Sequence, residues 1–566
     1  MNPEVQRPSG PHGDTPDVAG FSPLPGRQLF LALVGIMLAM FTSALSQTVI
    51  VTAMPQVIVD LGGFDRYTWG STAYLLGSII ATPIAGRLND IYGPRIFFIV
   101  GGAVFIIGTI FGGLSQTMAQ VIISRGIQGV GGGIMMISCF VAIAYLLPPQ
   151  QRARWQGVLS GVLALAWVIG PPLGGAVSEG LSWRWVFWLN VPLGVAILIL
   201  IMGTFPRITF EVKDRRLDYP GMLTLTAAVG LLALGLSLGG AYHAWGSPLI
   251  IAMLALGAAM LLAFVAIQFT SEAPMMPFEV YRIRMVSTCV AASLITGFGL
   301  YATMMLTPLA LQVILHLSPT GAGGLFTPLL ISLIMGAFAS GQLLSITGPR
   351  YRIHAIVGAV LMVVGLYSIS TLHTETPLAQ VAVFVSVYGF GTGVILATTT
   401  VAVQNSVPHS VLGASTAALH FYRQVGGLLG LSLLGALLTQ RFTTKLDLML
   451  ADAVSTPLPA AQLDAVKKHP HALIDPDAGG VMMPMNEGTV AEQVLHTVLH
   501  DTLSMALREV FLVAAAVAAL CLLAVIFIHA GGGRAPAGDL SSPVGDDSGR
   551  PSRDNRVRAA APSDTR

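Results

Sequence analysis

Three basic side chains stand in stretches otherwise too apolar to hold a charge. Arg125 falls in the run 119–147, and His420 and Arg423 fall in the run 412–439. A charge deep in a bilayer is costly, and where it occurs it is usually functional. Residues three apart on a helix share a face, so His420 and Arg423 point the same way. Histidine is the side-chain type that titrates near neutrality, so His420 could carry a proton. The two arginines could hold an anion or organise a cavity. No acid lies centrally in any apolar run: Asp90, Glu179, Asp218 and Glu509 sit at their ends. No Gly-x-x-x-x-Gly-Lys-Ser/Thr, His-Glu-x-x-His or Cys-x-x-Cys motif occurs, so no ATP engine and no metal site is expected. Cys139, Cys289 and Cys521 each fall inside an apolar run without metal-ligand spacing and read as small core hydrophobes. No nucleophile–base constellation is visible, so the chain is not expected to be an enzyme or to carry a cofactor.

These groups need membrane helices to hold them. Of the 566 residues, 54% are hydrophobic and only 10% charged, and mean hydropathy is +0.74. Soluble chains carry about 25% charge, so the solvent here must be largely lipid. The net charge of +2 argues against nucleic acid as a partner. Apolar runs long enough to cross a bilayer recur at about 28–52, 69–89, 96–115, 119–147, 157–179, 184–204, 220–240, 248–269, 286–310, 321–345, 354–373, 379–403, 412–439 and 505–530. That predicts an all-α integral membrane fold with fourteen transmembrane helices. The first run is too long for a signal peptide. Residues 1–26 and 531–566, rich in Pro, Gly, Ser and Asp, read as disordered tails.

Loop charges set the orientation. With a cytoplasmic N-terminus, the inside loops hold Arg87, Arg95, Arg152, Arg154, Arg207, Lys213, Arg215, Arg216, Arg282, Arg284, Arg350 and Arg352, and the short outside loops hold Arg66 and Arg184. Both termini are therefore expected in the cytoplasm. One outside loop is long, 441–504, with a short amphipathic helix expected near 490–499.

The chain also repeats itself. Gly86-Arg-Leu-Asn-Asp90-Ile-Tyr-Gly93-Pro94-Arg95 is echoed by Gly341-Gln-Leu-Leu-Ser345-Ile-Thr-Gly348-Pro349-Arg350, an offset of 341 − 86 = 255. Gln56-Val57-Ile58 and Leu61 are echoed by Gln312-Val313-Ile314 and Leu317 at offset 256. Parallel repeats about an axis along the membrane normal are a known transporter plan. The expected domains are a six-helix bundle at 27–205, two inserted helices at 206–284, and a second six-helix bundle at 285–530.

Four further motifs follow. Arg125-Gly-Ile-Gln128-Gly129-Val-Gly131 and Gly170-Pro171-Pro172-Leu-Gly174-Gly175 place glycines where helices can approach. Trp183-Arg-Trp-Val-Phe187-Trp-Leu-Asn190-Val-Pro192-Leu-Gly194 sets tryptophans at a membrane boundary. The first helix reads Leu45-Ser46-Gln47-Thr48, then Ala53-Met54-Pro55. Together with the Gly86–Arg95 loop, these resemble the major facilitator superfamily, and within it the fourteen-helix drug:proton antiporter family. The resemblance covers about 28–440 and the last helix. His420-Phe-Tyr-Arg423-Gln424-Val-Gly426-Gly427 is similar to the family's Arg-x-x-Gly-Gly. One motif departs from the family pattern: Ser46 stands where the family has an intramembrane Asp, and serine cannot titrate.

The resemblance implies two bundles rocking about a central site by alternating access, and export of lipophilic small molecules driven by a proton gradient. It assigns gating to Gly86, Asp90, Gly93, Arg95, Gly170, Pro171, Gly174 and Gly175 and a proton relay to Arg125, and the central placement of His420 and Arg423 adds these two as expected coupling residues. The cavity is expected to be lined by Phe41, Ser46, Tyr74, Gln128, Phe298 and Tyr301 as well. Expected partners are a lipophilic substrate and membrane lipids. A periplasmic adaptor is a further candidate, and the protein is expected to be a monomer in the bacterial inner membrane. The missing acid opens a second reading, a lipid or anionic-amphiphile transporter with altered or no proton coupling.

Overall fold

The computed structural model describes residues 25–62, 69–206, 217–239, 245–271, 274–275, 278–317, 319–452 and 490–528. Its helices are α1 Gly26–Leu61, α2 Trp69–Tyr92, α3 Pro94–Gly113, α4 Met118–Leu146, α5 Pro149–Gly180, α6 Arg184–Trp188, α7 Asn190–Thr204, α8 Tyr219–Leu238, α9 Pro248–Thr270, α10 Glu279–Arg282, α11 Arg284–Ile314, α12 Pro319–Thr347, α13 Tyr351–Ser370, α14 Leu378–Ser406, α15 Leu412–Asp452 and α16 Val490–Ile526. Among the described residues, thirteen spans are long and apolar enough to cross a membrane, α6 and α7 together making one of them. The remaining long helix, α2, is not among them: Ser, Thr, Gly and Pro dilute its apolar residues, and Arg87 and Asp90 occupy its last turns.

Local chemistry marks the helix starts. Thr117 and Gln120 form a reciprocal capping box on α4. Asp218 caps α8 and Ser247 caps α9, each followed by a proline in the first turn. Gly93 and Gly348 both have positive φ, 84° and 77°, ahead of Pro94 and Pro349. The two Gly-Pro-Arg copies thus make the same left-handed reversal, one that favours glycine.

Helices α1–α7 pack on one another, as do α11–α16, and the two halves meet along two seams, α2–α15 and α5–α12. The seams repeat each other. A Cβ on Gly86 would strike Ala417 and the Gly413 carbonyl, and one on Gly341 would meet the Ala153 carbonyl at 2.5 Å and the Gly157 Cα at 3.3 Å. The partner positions keep one offset, 413 − 153 and 417 − 157, both 260. The inserted pair α8–α9 lies over the α2–α15 seam: Leu225 and Val229 share an apolar cluster with Ile79 of α2 and with Ala418 and Phe421 of α15.

The stretch 441–504 is not all loop. Helix α15 runs on to Asp452 and α16 begins at Val490. The extension is held because Phe442 and Leu446 are buried against α16, while Arg441 and Lys445 pair with Glu509 at 3.4 and 2.7 Å. The helix expected at 490–499 is the first part of α16 rather than a separate element. The central residues 453–489, the tails 1–24 and 529–566, and the loops carrying Arg66, Arg207, Lys213, Arg215 and Arg216 lie outside the described residues.

Candidate functional site

The best-defined polar contact between the halves is made by Asp90. Its carboxylate accepts the backbone N–H groups of Gly413 at 2.6 Å and Ala414 at 2.7 Å, and the Tyr145 hydroxyl at 3.0 Å. Those N–H groups belong to the first turn of α15, whose free donors and helix dipole favour an anion. Asp90 is buried, so the carboxylate has little water to fall back on. In the second copy, Ser345 only donates to Gln342 of its own helix. The carboxylate clamp is therefore present in the first copy and not in the second. Arg95 is placed elsewhere than at this clamp: it donates to the Met202 carbonyl at the end of α7, within the first half.

Several other bonds between the halves lie at the same end, among them one from Arg152 of α5 to Asn405 of α14 at 3.5 Å. Gln156 of α5 donates to Gln404 of α14 at 2.9 Å, Gln404 donates to the Phe140 carbonyl at 3.2 Å, and Gln424 of α15 donates to Thr82 of α2 at 3.3 Å. The protein is thus clasped at the end that carries the two Gly-Pro-Arg loops.

The Gly170–Gly175 segment acts inside the first half. A Cβ on Gly170 would strike Thr48, and one on Gly174 would strike the Val49 carbonyl and Thr52. Thr52 donates to the Pro171 carbonyl at 2.9 Å. Gly175 meets nothing within 4 Å, so it plays no part in this approach of α5 to α1.

Four residues expected at the cavity or in coupling are engaged within the first half instead. Ser46 donates to Asn190 of α7 at 3.0 Å. Gln128 donates to Thr109 of α3 at 2.8 Å. Tyr74 donates to the Ser43 carbonyl at 2.7 Å and lies under Arg125, whose guanidinium carbon is 4.5 Å from the ring centre. Arg125 also donates to the Gly70 carbonyl and to Gln128. All four are buried, because a polar side chain in an apolar bundle is held wherever a partner exists. Ser46, Tyr74, Gln128 and Arg125 are thus each held by a partner within this half. The motif glycines here serve close packing: Gly129 lies on the Tyr74 backbone and Gly131 on that of Phe105.

His420 and Arg423 stand differently. His420 faces across the seam, its ring 4.0 Å from that of Phe140 of α4. Its Nδ1 is 3.4 Å from an Arg423 nitrogen. His420 Nε2 and the Nε and one terminal nitrogen of Arg423 are buried without a hydrogen-bond partner in the protein. Tyr301 of α11 packs on Gly427, with Trp167 of α5 edge-on at 6.5 Å. Phe41 and Tyr301 border the core shared by the two halves, while Phe298 packs on the core of the second half.

The Major Facilitator Superfamily profile matches residues 36–431. The chain belongs to the major facilitator superfamily. It is 34% identical over 462 residues to the multidrug transporter protein MdtP of Bacillus subtilis (strain 168), covering 79% of this chain and 84% of that one. It is 29% identical over 496 residues to multidrug resistance protein 3 of the same organism, covering 88% and 94%. Among solved structures, the human organic anion transporter MFSD10 (TETRAN) aligns with a TM-score of 0.56 at 14% identity, covering 88% of this chain and 99% of that one. The proton:xylose symporter XylE aligns with a TM-score of 0.54 at 12% identity, covering 88% and 95%. At those identities the likeness shows the fold alone.

In this facilitator the Trp183–Gly194 run does more than mark the family. Trp183 and Arg184 both donate to Asp60 at the end of α1, at 2.9 and 3.2 Å, and Arg184 also reaches the Ser115 carbonyl. Phe187 and Trp188 fill the space beside Gly112 and Gly113, Asn190 accepts from Ser46, and Gly194 admits Ile106. The two donors hold the exposed Asp60 carboxyl below its ordinary value. Sequence reading missed this knot because Asp60 lies over a hundred residues from its partners. The signal available was an acid at one helix end and an Arg in another loop on the same side.

Proposed function

We propose that this membrane protein exports lipophilic small molecules by alternating access, coupled to the proton gradient, with both termini cytoplasmic in the bacterial inner membrane. The observation that carries the reading is the paired seam. Gly86 against Gly413 and Ala417 repeats Gly341 against Ala153 and Gly157, and the Asp90 clamp sits at the same end. Flush glycine contacts and one releasable clamp suit two rigid halves that rock about a centre. The printed names of the relatives, a multidrug transporter and a multidrug resistance protein, support export. With the Gly-Pro-Arg loops inside, the clasped state is closed to the cytoplasm. Proton coupling is assigned to His420, which faces Phe140 across the seam.

The test is dye transport in proteoliposomes with and without an imposed pH gradient, in wild type and His420→Ala. Gradient-driven transport that loses its pH dependence in the variant is expected. Transport indifferent to the gradient in both would remove the coupling. A second reading, transport of a lipid or an anionic amphiphile, is favoured by the unpaired nitrogens of Arg423 beside a helix whose acid position is Ser46.

A further inference from the structure

We infer that Arg423 and His420, walled by Phe140, Trp167 and Tyr301, form a subsite for the single anionic group of a lipophilic molecule. The inference rests on the export reading for its role and on geometry for its chemistry.

Arg423 is 7% exposed and His420 3%, so neither side chain can be solvated by bulk water. A guanidinium carries five donors. Arg423 has one contact that uses them, the 3.4 Å approach to His420 Nδ1, and its Nε and one terminal nitrogen have no partner in the protein. Leaving a buried charge uncompensated is among the costliest arrangements a fold can hold. Structures keep such a group where a ligand completes it.

Among the described residues, no hydrogen bond or ion pair joins Arg423 to a carboxylate. Among the described residues, Asp90 of α2 is bound to Gly413, Ala414 and Tyr145. Asp218 ahead of α8 is bound to Gly221 and Gln268. Glu509 of α16 pairs with Arg441 and Lys445. Arg125 of α4 is engaged with Gly70, Gln128 and Tyr74 within its own half, with one terminal nitrogen left without a partner. The group that faces Arg423 from α11 is the Tyr301 phenol, which has its own hydrogen bond to Gln47 of α1.

The surroundings suit an amphiphile. His420 Nε2 and the open Arg423 nitrogens are polar atoms on one face of α15. Phe140 and Trp167 come from the first half and Tyr301 from the second, so a bound molecule would touch both. A carboxylate, sulfonate or phosphate monoanion matches the planar fork of arginine. A cation there would face an unpaired positive charge.

The probes are 11-(dansylamino)undecanoic acid and its methyl ester, which differ in the charge and one methyl group. Binding is measured to purified wild type, Arg423→Gln and Arg423→Lys in phosphatidylcholine nanodiscs, with thermal unfolding as a folding control. Wild type is expected to bind the acid more tightly than the ester. Arg423→Gln is expected to lose about ten- to a hundredfold more affinity for the acid than for the ester, the range of a charged hydrogen bond. Arg423→Lys, which keeps the charge without the fork, is expected to lose less, and it carries the test should Arg423→Gln fail to fold. Equal losses on both probes, or a wild-type preference for the ester, would overturn the subsite.

Adding phosphatidylglycerol separates the sources of the anion. Competition with the acid points to a lipid headgroup, and its absence points to a soluble amphiphile; both support the same site. Transport of the two probes in proteoliposomes tests the other reading. Selective binding with no transport of either would refute export and leave the subsite standing.

Discussion

Replacing Asp90 with Asn tests the clamp directly. The carboxylate accepts two backbone N–H groups at 2.6 and 2.7 Å and the Tyr145 hydroxyl at 3.0 Å. Asn keeps one acceptor oxygen and turns a donor toward the remaining N–H. The variant therefore loses one charge-assisted hydrogen bond, worth about 1.5–3 kcal/mol. It also loses the charge at the start of α15, worth up to ~2 kcal/mol in a partly buried setting. Because the contact joins the two halves, this energy belongs to the clasped state alone. A loss of about 2–4 kcal/mol moves the balance between clasped and open by roughly 30- to 1000-fold. Spin labels at Arg154 and Ile346, exposed positions on α5 and α12, report the distance across the opposite seam. Electron–electron resonance should show a longer population in Asp90→Asn, with expression and membrane insertion unchanged and transport slowed. An unchanged distance distribution together with wild-type transport would reduce Asp90 to an ordinary helix cap.

The two seams should answer alike: Gly86→Ala and Gly341→Ala each drive a methyl into the facing helix, and both should lengthen the same distance and slow transport. Gly174→Ala should lower the melting temperature by overpacking, a cost of about 1–3 kcal/mol, while Gly175→Ala leaves it unchanged; equal effects would refute the α1–α5 packing. Asp60 has a folded-state pKa below its unfolded value, so its contribution is full above the unfolded value near 3.8 and fades as pH falls through the lower folded one. Asp60→Asn should accordingly lower the melting temperature slightly at neutral pH, and the difference from wild type should vanish at strongly acid pH; a difference that persists there would assign it to packing. Reporter fusions at Gln151 and Leu473 should read cytoplasm and exterior, and the reverse result would invert the orientation.

Much of this protein is legible in one dimension. Hydropathy and run length place the helices, because a bilayer demands about 20 apolar residues whatever the neighbours are. The Gly-Pro-Arg echo announces two like halves, since a left-handed turn between antiparallel helices needs glycine wherever it recurs. Tertiary structure decided which way each polar side chain turns. Ser46 faces Asn190, Gln128 faces Thr109, and Gly174 but not Gly175 meets α1. All of these sit in apolar helices whose sequence carries no amphipathic stripe to say which face is inward. Lipid and protein interior are alike apolar, so the pattern that orients a helix in water is absent here. The clamp from Asp90 to Gly413 joins two helices far apart in the sequence, and the facing of His420 on Phe140 joins α15 to α4, so neither can be read from one segment alone.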